Sequence, residues 1–336
     1  MADAEKKTVL VTGGAGFIGS FLCEQLLKSG SRVICIDNFT TGHVRTIESL
    51  LRSPDFQFLK LDINQPFDLE TFTELEPFKV KFHGVQEIYH FAVPTVVKRF
   101  DEYRMQTLLA NSLGTKHVLD VAAKYKAKVV FGSAAVVYGA RKADTSSFVE
   151  TDLGVVDHLN PRGCYNEGKK FAETMCQTYA DVHGLDVKIA RIFRTFGPRM
   201  PLHHGHQIPD CILNALDGNE IVISGSEQSV TALAYVSDIV DGIMRLMKAE
   251  PGVGPVNLGS DVDMPIGDVV KKIIELTESS STVRFEPAPP FLVELGLPNL
   301  TKAKEKLAWV PLVRFEDGLK KTIDYVRANK VLLSEG

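Results

Sequence analysis

The stretch TVLVTGGAGFIGSFLCEQLLKSG constrains this chain more than any other part of it. A β-branched run, Thr8–Thr12, feeds directly into Gly13, Gly16 and Gly19 and then into a segment of helical periodicity, Phe17–Ser29. In such a turn the first glycine permits a tight reversal, and the second lets backbone approach a pyrophosphate. The third allows close packing of helix on strand, while the helix N-terminus offers partial positive charge to an anion. Further strand-like runs follow at Arg32–Asp37, Phe56–Asp62, Glu87–Ala92, Lys128–Ser133 and Asp186–Phe193. Between them, Thr107–Lys124 and Tyr165–His183 carry helical patterns. This alternation of nearly continuous apolar strands with helices predicts an α/β fold, a Rossmann-type doubly wound parallel sheet with right-handed crossovers. Beyond Gly197-Pro198 the pattern changes to Gly-, Pro- and His-rich loops between short elements. The expected division is a dinucleotide-binding domain over 1–195 and, over 196–336, a smaller, mainly C-terminal α/β lobe for substrate. Some segments of that lobe return to the sheet.

Asp37 closes the second strand, 18 residues after Gly19. A carboxylate there can accept both ribose hydroxyls of NAD and repels the additional phosphate of NADP, so NAD is the expected cofactor. Asp62, at the end of the third strand, is placed to reach the adenine. Further along, Tyr165 and Lys169 stand four residues apart, the spacing of an acid/base pair on one face of a helix.

Charge and cysteine content narrow the class. The 336 residues carry 38 basic and 42 acidic side chains, a net charge of -4, with no basic cluster. Neither a nucleic-acid footprint nor a polybasic membrane anchor is expected. No apolar run reaches the roughly 18 residues of a membrane span. The opening MADAEKK is a short polar tail rather than a signal peptide. Five cysteines (Cys23, Cys35, Cys164, Cys176, Cys211) form no C-x-x-C pair and read as reduced thiols, so a cytoplasmic location is expected. His203, His204 and His206 in PLHHGHQIPD lack converging Cys or helix-spaced His partners, and no metal is expected there.

The motifs together carry a resemblance. Gly13-x-x-Gly16-x-x-Gly19, HFAV after the fourth strand, Asn111 with LGT, Tyr165-x-x-x-Lys169 and RIFRTFGPRM follow one another in the order of the extended short-chain dehydrogenase/reductases that modify nucleotide sugars. The likeness spans about residues 8–330. DNFTTG, CYNEGKKFAET and ARIFRTFGPRM resemble most the UDP-glucuronate decarboxylases of that family. The resemblance implies that Lys169 lowers the pKa of Tyr165 and holds the nicotinamide ribose. Tyr165, as phenolate, then takes a hydroxyl proton while hydride passes to NAD. It also implies cofactor contacts from Phe17, Ile18, Asn38, Gly42, Ile63, Phe91, Ala92, Val93, Asn111 and Phe193. Substrate contacts are implied for Thr95, Arg194, Arg199 and His206, along with a homodimer built on the Thr107–Lys124 and Tyr165–His183 helices.

The chain departs from the family pattern at several points. The Ser or Thr that supports the tyrosine, five residues before the glycine of VYG, is Ala134 here. Ser133 is the nearest hydroxyl, but neighbouring strand residues face opposite ways, so it serves only if the strand end is bulged or twisted. The acidic residue of the decarboxylases is Val136, and their arginine pair is replaced within Leu295-Gly296-Leu297. Thr231 stands where an arginine grips the diphosphate, and Arg194 stands where relatives hold asparagine. Arg194, with Arg199, is therefore expected to supply the displaced positive charge.

Three functions follow as expectations. The leading one is UDP-glucuronate decarboxylation to UDP-xylose through a C4 ketone. The alternative within the class is a UDP-sugar 4-epimerase, with which Val136 and Ala135 are more compatible. From another class comes a catalytically weakened NAD-binding sensor or assembly partner, suggested by Ala134.

Overall fold

The computed structural model describes residues 6–95, 100–141, 147–202, 204–289 and 294–333. Seven parallel strands form one sheet: β1 (Thr8–Thr12), β2 (Arg32–Asp37), β3 (Phe56–Lys60), β4 (Glu87–His90), β5 (Lys128–Ala134), β6 (Val187–Ile192) and β7 (Pro255–Leu258). Their order across the sheet is β3-β2-β1-β4-β5-β6-β7. The chain thus winds outward from β1 in both directions, leaving a crevice above the C-terminal ends of β1 and β4, where α/β sheets of this kind hold ligands. β7 comes from beyond residue 196 and pairs with β6, from Pro255↔Ile189 to Leu258↔Ile192.

Alternation along the strands covers both faces. Val9 and Val11 pack in one core cluster with Leu22 and Leu26 of α1 (Phe17–Lys28). Leu10 packs in the other, with Val118 and Leu119 of α3 (Thr115–Tyr125) and Ala172 of α4 (Gly163–His183). Helix α2 (Arg104–Leu109) leads into α3 through one π-turn, Ala110–Gly114. The smaller lobe sets α5 (Gln207–Asp217) and α7 (Ile266–Thr277) beside a parallel pair of strands, Ile221–Ser224 with Val283–Glu286. Helix α6 (Val236–Lys248) packs against α1, β5 and β6. Trp309 is buried there, donating Nε1–H to the Asp238 carbonyl at 2.9 Å. All five cysteines are free thiols, and only Cys164 is not fully buried. Among the described residues no helix is long and apolar enough to cross a membrane.

Candidate active site

A cleft of about 1280 Å³ runs from the glycine turn, past the ends of β4 and β5, to the smaller lobe. Single drug-sized ligands occupy roughly 300–1,000 Å³, so this volume suits two ligands side by side.

The glycine end is a cradle that a side chain would fill. Gly13 has φ +71°, and a Cβ there would lie 2.7 Å from the Ala92 amide nitrogen. A Cβ on Gly19 would lie 2.1 Å from the Gly13 carbonyl oxygen. Gly16 is the N-cap of α1; no side chain caps the helix and its first turn holds no acidic residue. The amides of Phe17 and Ile18, both lining the cleft, are left for an anion. Asp37 at the end of β2 accepts the Ala15 N–H at 3.0 Å and the Phe39 N–H at 2.9 Å. Burial raises its pKa, and the amides of Phe39, Ala15 and Asn38 act the other way. These amides still leave lone-pair capacity for a ribose hydroxyl on a carboxylate that accepts about four bonds. Gly42 closes over this group, since a Cβ there would meet both Asp37 oxygens at 2.9 Å. Asn38, Asp62 and Ile63 line the next part of the cleft, and Phe91, Ala92 and Val93 the wall beyond β4. These groups fit a dinucleotide.

Tyr165 and Lys169 lie on the first two turns of α4 and both face the cleft. The Lys169 ammonium is buried and donates to the Gly132 carbonyl at 2.7 Å, with the Tyr165 ring centroid 5.9 Å away. Burial brings its pKa down to about 7, with Cys176 and Glu173 opposing. His90 lies buried below, its ring bridging the Thr12 hydroxyl at 2.7 Å and the Thr115 hydroxyl at 3.1 Å. Burial, with the nearby Lys169 charge, holds its pKa to about 3, so it is neutral.

The remaining candidates divide. Thr95, Phe193, Arg194 and His206 line the cleft. Burial and the like charge of Arg162 lower the Arg194 pKa, while Glu294 raises it. His206 is held to about 4, first by burial and then by His204. His203 lies outside the described residues.

Three candidates require correction. Arg199 does not line the cleft. Its guanidinium pairs with Glu24 of α1 at 2.5 Å and lies over the Phe21 ring at 4.4 Å, so it ties the loop to the helix. Asn111 is buried outside the cleft, giving its amide to the Thr107 carbonyl at 2.8 Å and packing under Gly168. Ser133 does not offer its hydroxyl to Tyr165. It donates to Glu173 Oε1 at 2.5 Å, and Glu173 is held by Arg191 at 2.7 and 3.0 Å. Ser133 and Arg191 are register partners across β5 and β6, so both side chains emerge on one face. Glu173 stands eight residues beyond Tyr165 on α4, about 12 Å along the helix at 1.5 Å per residue. Ser133 lines the cleft along with Ala134 and Ile192, but its hydroxyl is committed to Glu173.

Arg162, which sequence reasoning passed over, is the N-cap of α4 and lines the cleft. Its signal was available: it stands three residues before Tyr165, one helical turn away.

A dinucleotide cradle beside a Tyr-x-x-x-Lys pair at the mouth of a doubly wound sheet defines a cofactor-dependent enzyme. The family model described as the NAD dependent epimerase/dehydratase family matches residues 9–259. The chain belongs to this family, and its cofactor is NAD. The UDP-glucuronic acid decarboxylase 1 of Xenopus tropicalis is 35% identical over 327 residues, which cover 97% of this chain and 74% of that protein. The UDP-glucose 4-epimerase of Thermotoga maritima, solved with UDP-glucose, superposes with a TM-score of 0.84 at 26% identity, covering 96% of this chain and 99% of that one. The UDP-glucuronic acid 4-epimerase of Bacillus cereus, solved with UDP-glucuronic acid and NAD, gives a TM-score of 0.82 at 25% identity with the same coverage.

Proposed function

We propose that the protein decarboxylates UDP-glucuronate to UDP-xylose through a ketone at sugar C4. The observation that carries this reading is the likeness to UDP-glucuronic acid decarboxylases over 97% of the chain, with Tyr165 and Lys169 set in a two-ligand cleft. Bound NAD would supply reversible hydride acceptance at C4, without net consumption. Gly13, Gly16, Gly19 and Asp37 hold it, and Lys169 orients its sugar. Tyr165 accepts the C4 hydroxyl proton. A C4 ketone is β to the C6 carboxylate, so the C5–C6 bond breaks, CO2 leaves, and the bonding pair stays on the sugar as an enolate. A proton added at C5 then restores a saturated ring.

The 4-epimerase reading stands second, on one observation. Ala134, Ala135, Val136 and Leu295, which line the cleft beyond β5, offer no proton donor for C5. Incubation with NAD and UDP-glucuronate, followed by mass spectrometry, separates the two. A product lighter by one CO2 supports decarboxylation, whereas an isomer of unchanged mass moves the assignment to epimerase. Absence of both, with NAD bound, overturns UDP-glucuronate as substrate.

Arg194 supplies positive charge for the substrate diphosphate in place of the missing arginine at Thr231. Arg194→Ala is expected to weaken UDP-sugar binding about tenfold or more, as for loss of a charge-assisted pair, and to leave NAD affinity unchanged. Calorimetric titration with UDP-glucuronate checks it, and equal affinity sinks the assignment.

The protein acts as a homodimer through α2, α3 and α4. Met105, Leu108, Leu113, Phe171 and Val182 on this face are solvent-exposed in the single chain, with Val182 70% exposed. Light scattering is expected to give twice the 37.0 kDa chain mass, and a monomer would overturn it.

A further inference from the structure

The tyrosine of this site lacks the strand-end hydroxyl that usually supports it. Ala134 brings no hydroxyl to the cleft, and the hydroxyl of Ser133 is engaged by Glu173 at 2.5 Å. The other support, Lys169, is buried against the Gly132 carbonyl, and burial brings its pKa down to about 7. A phenol must still lose its proton to act as base, and burial raises the Tyr165 pKa. Something else has to hold the anion.

We propose that Arg162 is a positioning residue that acts through Tyr165, its guanidinium stabilising the phenolate in place of the absent strand-end hydroxyl. Arg162 is the N-cap of α4 and Tyr165 lies in its first turn, with the Tyr165 N–H donating to the Arg162 carbonyl at 3.0 Å. Both side chains line the same cleft. Position 162 stands one helical turn before position 165, the spacing at which side chains on a helix are surface neighbours. Arg162 is the charge that works against burial at Tyr165. An arginine is suited to this task because it stays protonated across the range in which Lys169 titrates. The open N-terminus of α4, whose first turn carries no acidic residue, adds to the same field.

Other charged groups face this end of the helix. Lys169 lies on the same helix, and Arg104 of α2 acts on Cys164. Arg194 beyond β6 and His206 at the start of α5 are each influenced by Arg162, and Glu294 lies opposite Arg194. His206 is neutral near pH 7, and Glu294 offsets Arg194 in part. Arg162 is the cation whose charge acts on the phenol, and the Lys169 ammonium lies 5.9 Å from its ring centroid.

The inference rests on Tyr165 being the acid/base group, and its test does not need turnover. The phenolate of Tyr165 is read in the NAD-loaded protein as the difference in absorbance near 295 nm between each variant and the same variant carrying Tyr165→Phe. Arg162→Met is expected to raise the apparent Tyr165 pKa by about one unit or more, the usual effect of removing an opposite charge at contact range. Arg162→Lys is expected to keep it near the wild-type value. Ala134→Thr in the Arg162→Met background is expected to bring it part of the way back, because a hydroxyl then faces the cleft. An unshifted pKa in Arg162→Met overturns the proposal, as does an equal shift in Arg162→Lys, which would mark a role in shape. Activity retained by Tyr165→Phe would instead remove the catalytic reading of the tyrosine while leaving the titration to decide the pairing.

Discussion

Tyr165→Phe is expected to lower turnover of the nucleotide sugar by about 10³-fold, within the range that loss of a positioned acid/base group produces. The substitution removes one oxygen and little else. The ring remains beside Lys169, and the Lys169 bond to the Gly132 carbonyl at 2.7 Å does not involve the phenol. NAD affinity should therefore be unchanged, because the cradle of Gly13, Gly16 and Gly19 and the Asp37 carboxylate lie elsewhere in the cleft. Single-turnover mass spectrometry, together with calorimetric titration of NAD, gives both numbers. A loss smaller than about tenfold would assign the proton transfer to another group. Loss of NAD binding along with turnover would mean that the phenol supports the cofactor pocket itself.

Much of this site could be read before folding because its parts are close in sequence. The turn after β1, the start of α1 and Asp37 all fall within 30 residues, and each has a local geometric reason for its identity. Tyr165 and Lys169 are one helical turn apart, so their shared face follows from helix geometry alone. What escaped reading depends on partners far along the chain. Ser133 is captured by Glu173, 40 residues on, and only the packing of α4 across β5 and β6 makes that contact. Strand alternation did place Ser133 and Ala134 on opposite faces, but not which partner would claim the serine. Arg199 was expected, with Arg194, to supply the positive charge missing at Thr231. Its partner Glu24 lies 175 residues earlier, on α1. Asn111 was placed by its motif, whereas the π-turn of Ala110–Gly114 points its amide back to Thr107. Arg162 was legible by spacing and was missed because the motif was taken to begin at Cys164.

Gly19→Ala is expected to weaken NAD binding by about 100-fold and to lower the melting temperature. The added methyl would stand 2.1 Å from the Gly13 carbonyl oxygen and 2.9 Å from Gly14 Cα. Both are backbone atoms of the turn that shapes the pyrophosphate cradle, so no flexible side chain can give way. Overpacking strain of this kind costs about 3 kcal/mol at its upper range. If the strain is relieved by moving the turn, the whole of it falls on the cofactor site, and 1.4 kcal/mol corresponds to tenfold in Kd. If it is relieved by tilting α1, the helix loses its packing on β1, where Leu22 and Leu26 meet Val9 and Val11, and stability falls instead. Calorimetric titration of NAD and a thermal melt of the same preparation separate the two routes. Wild-type values in both would mean that close approach of helix to turn is not what position 19 requires. Asp37 and the free amides of α1 would then carry NAD recognition without the tight turn.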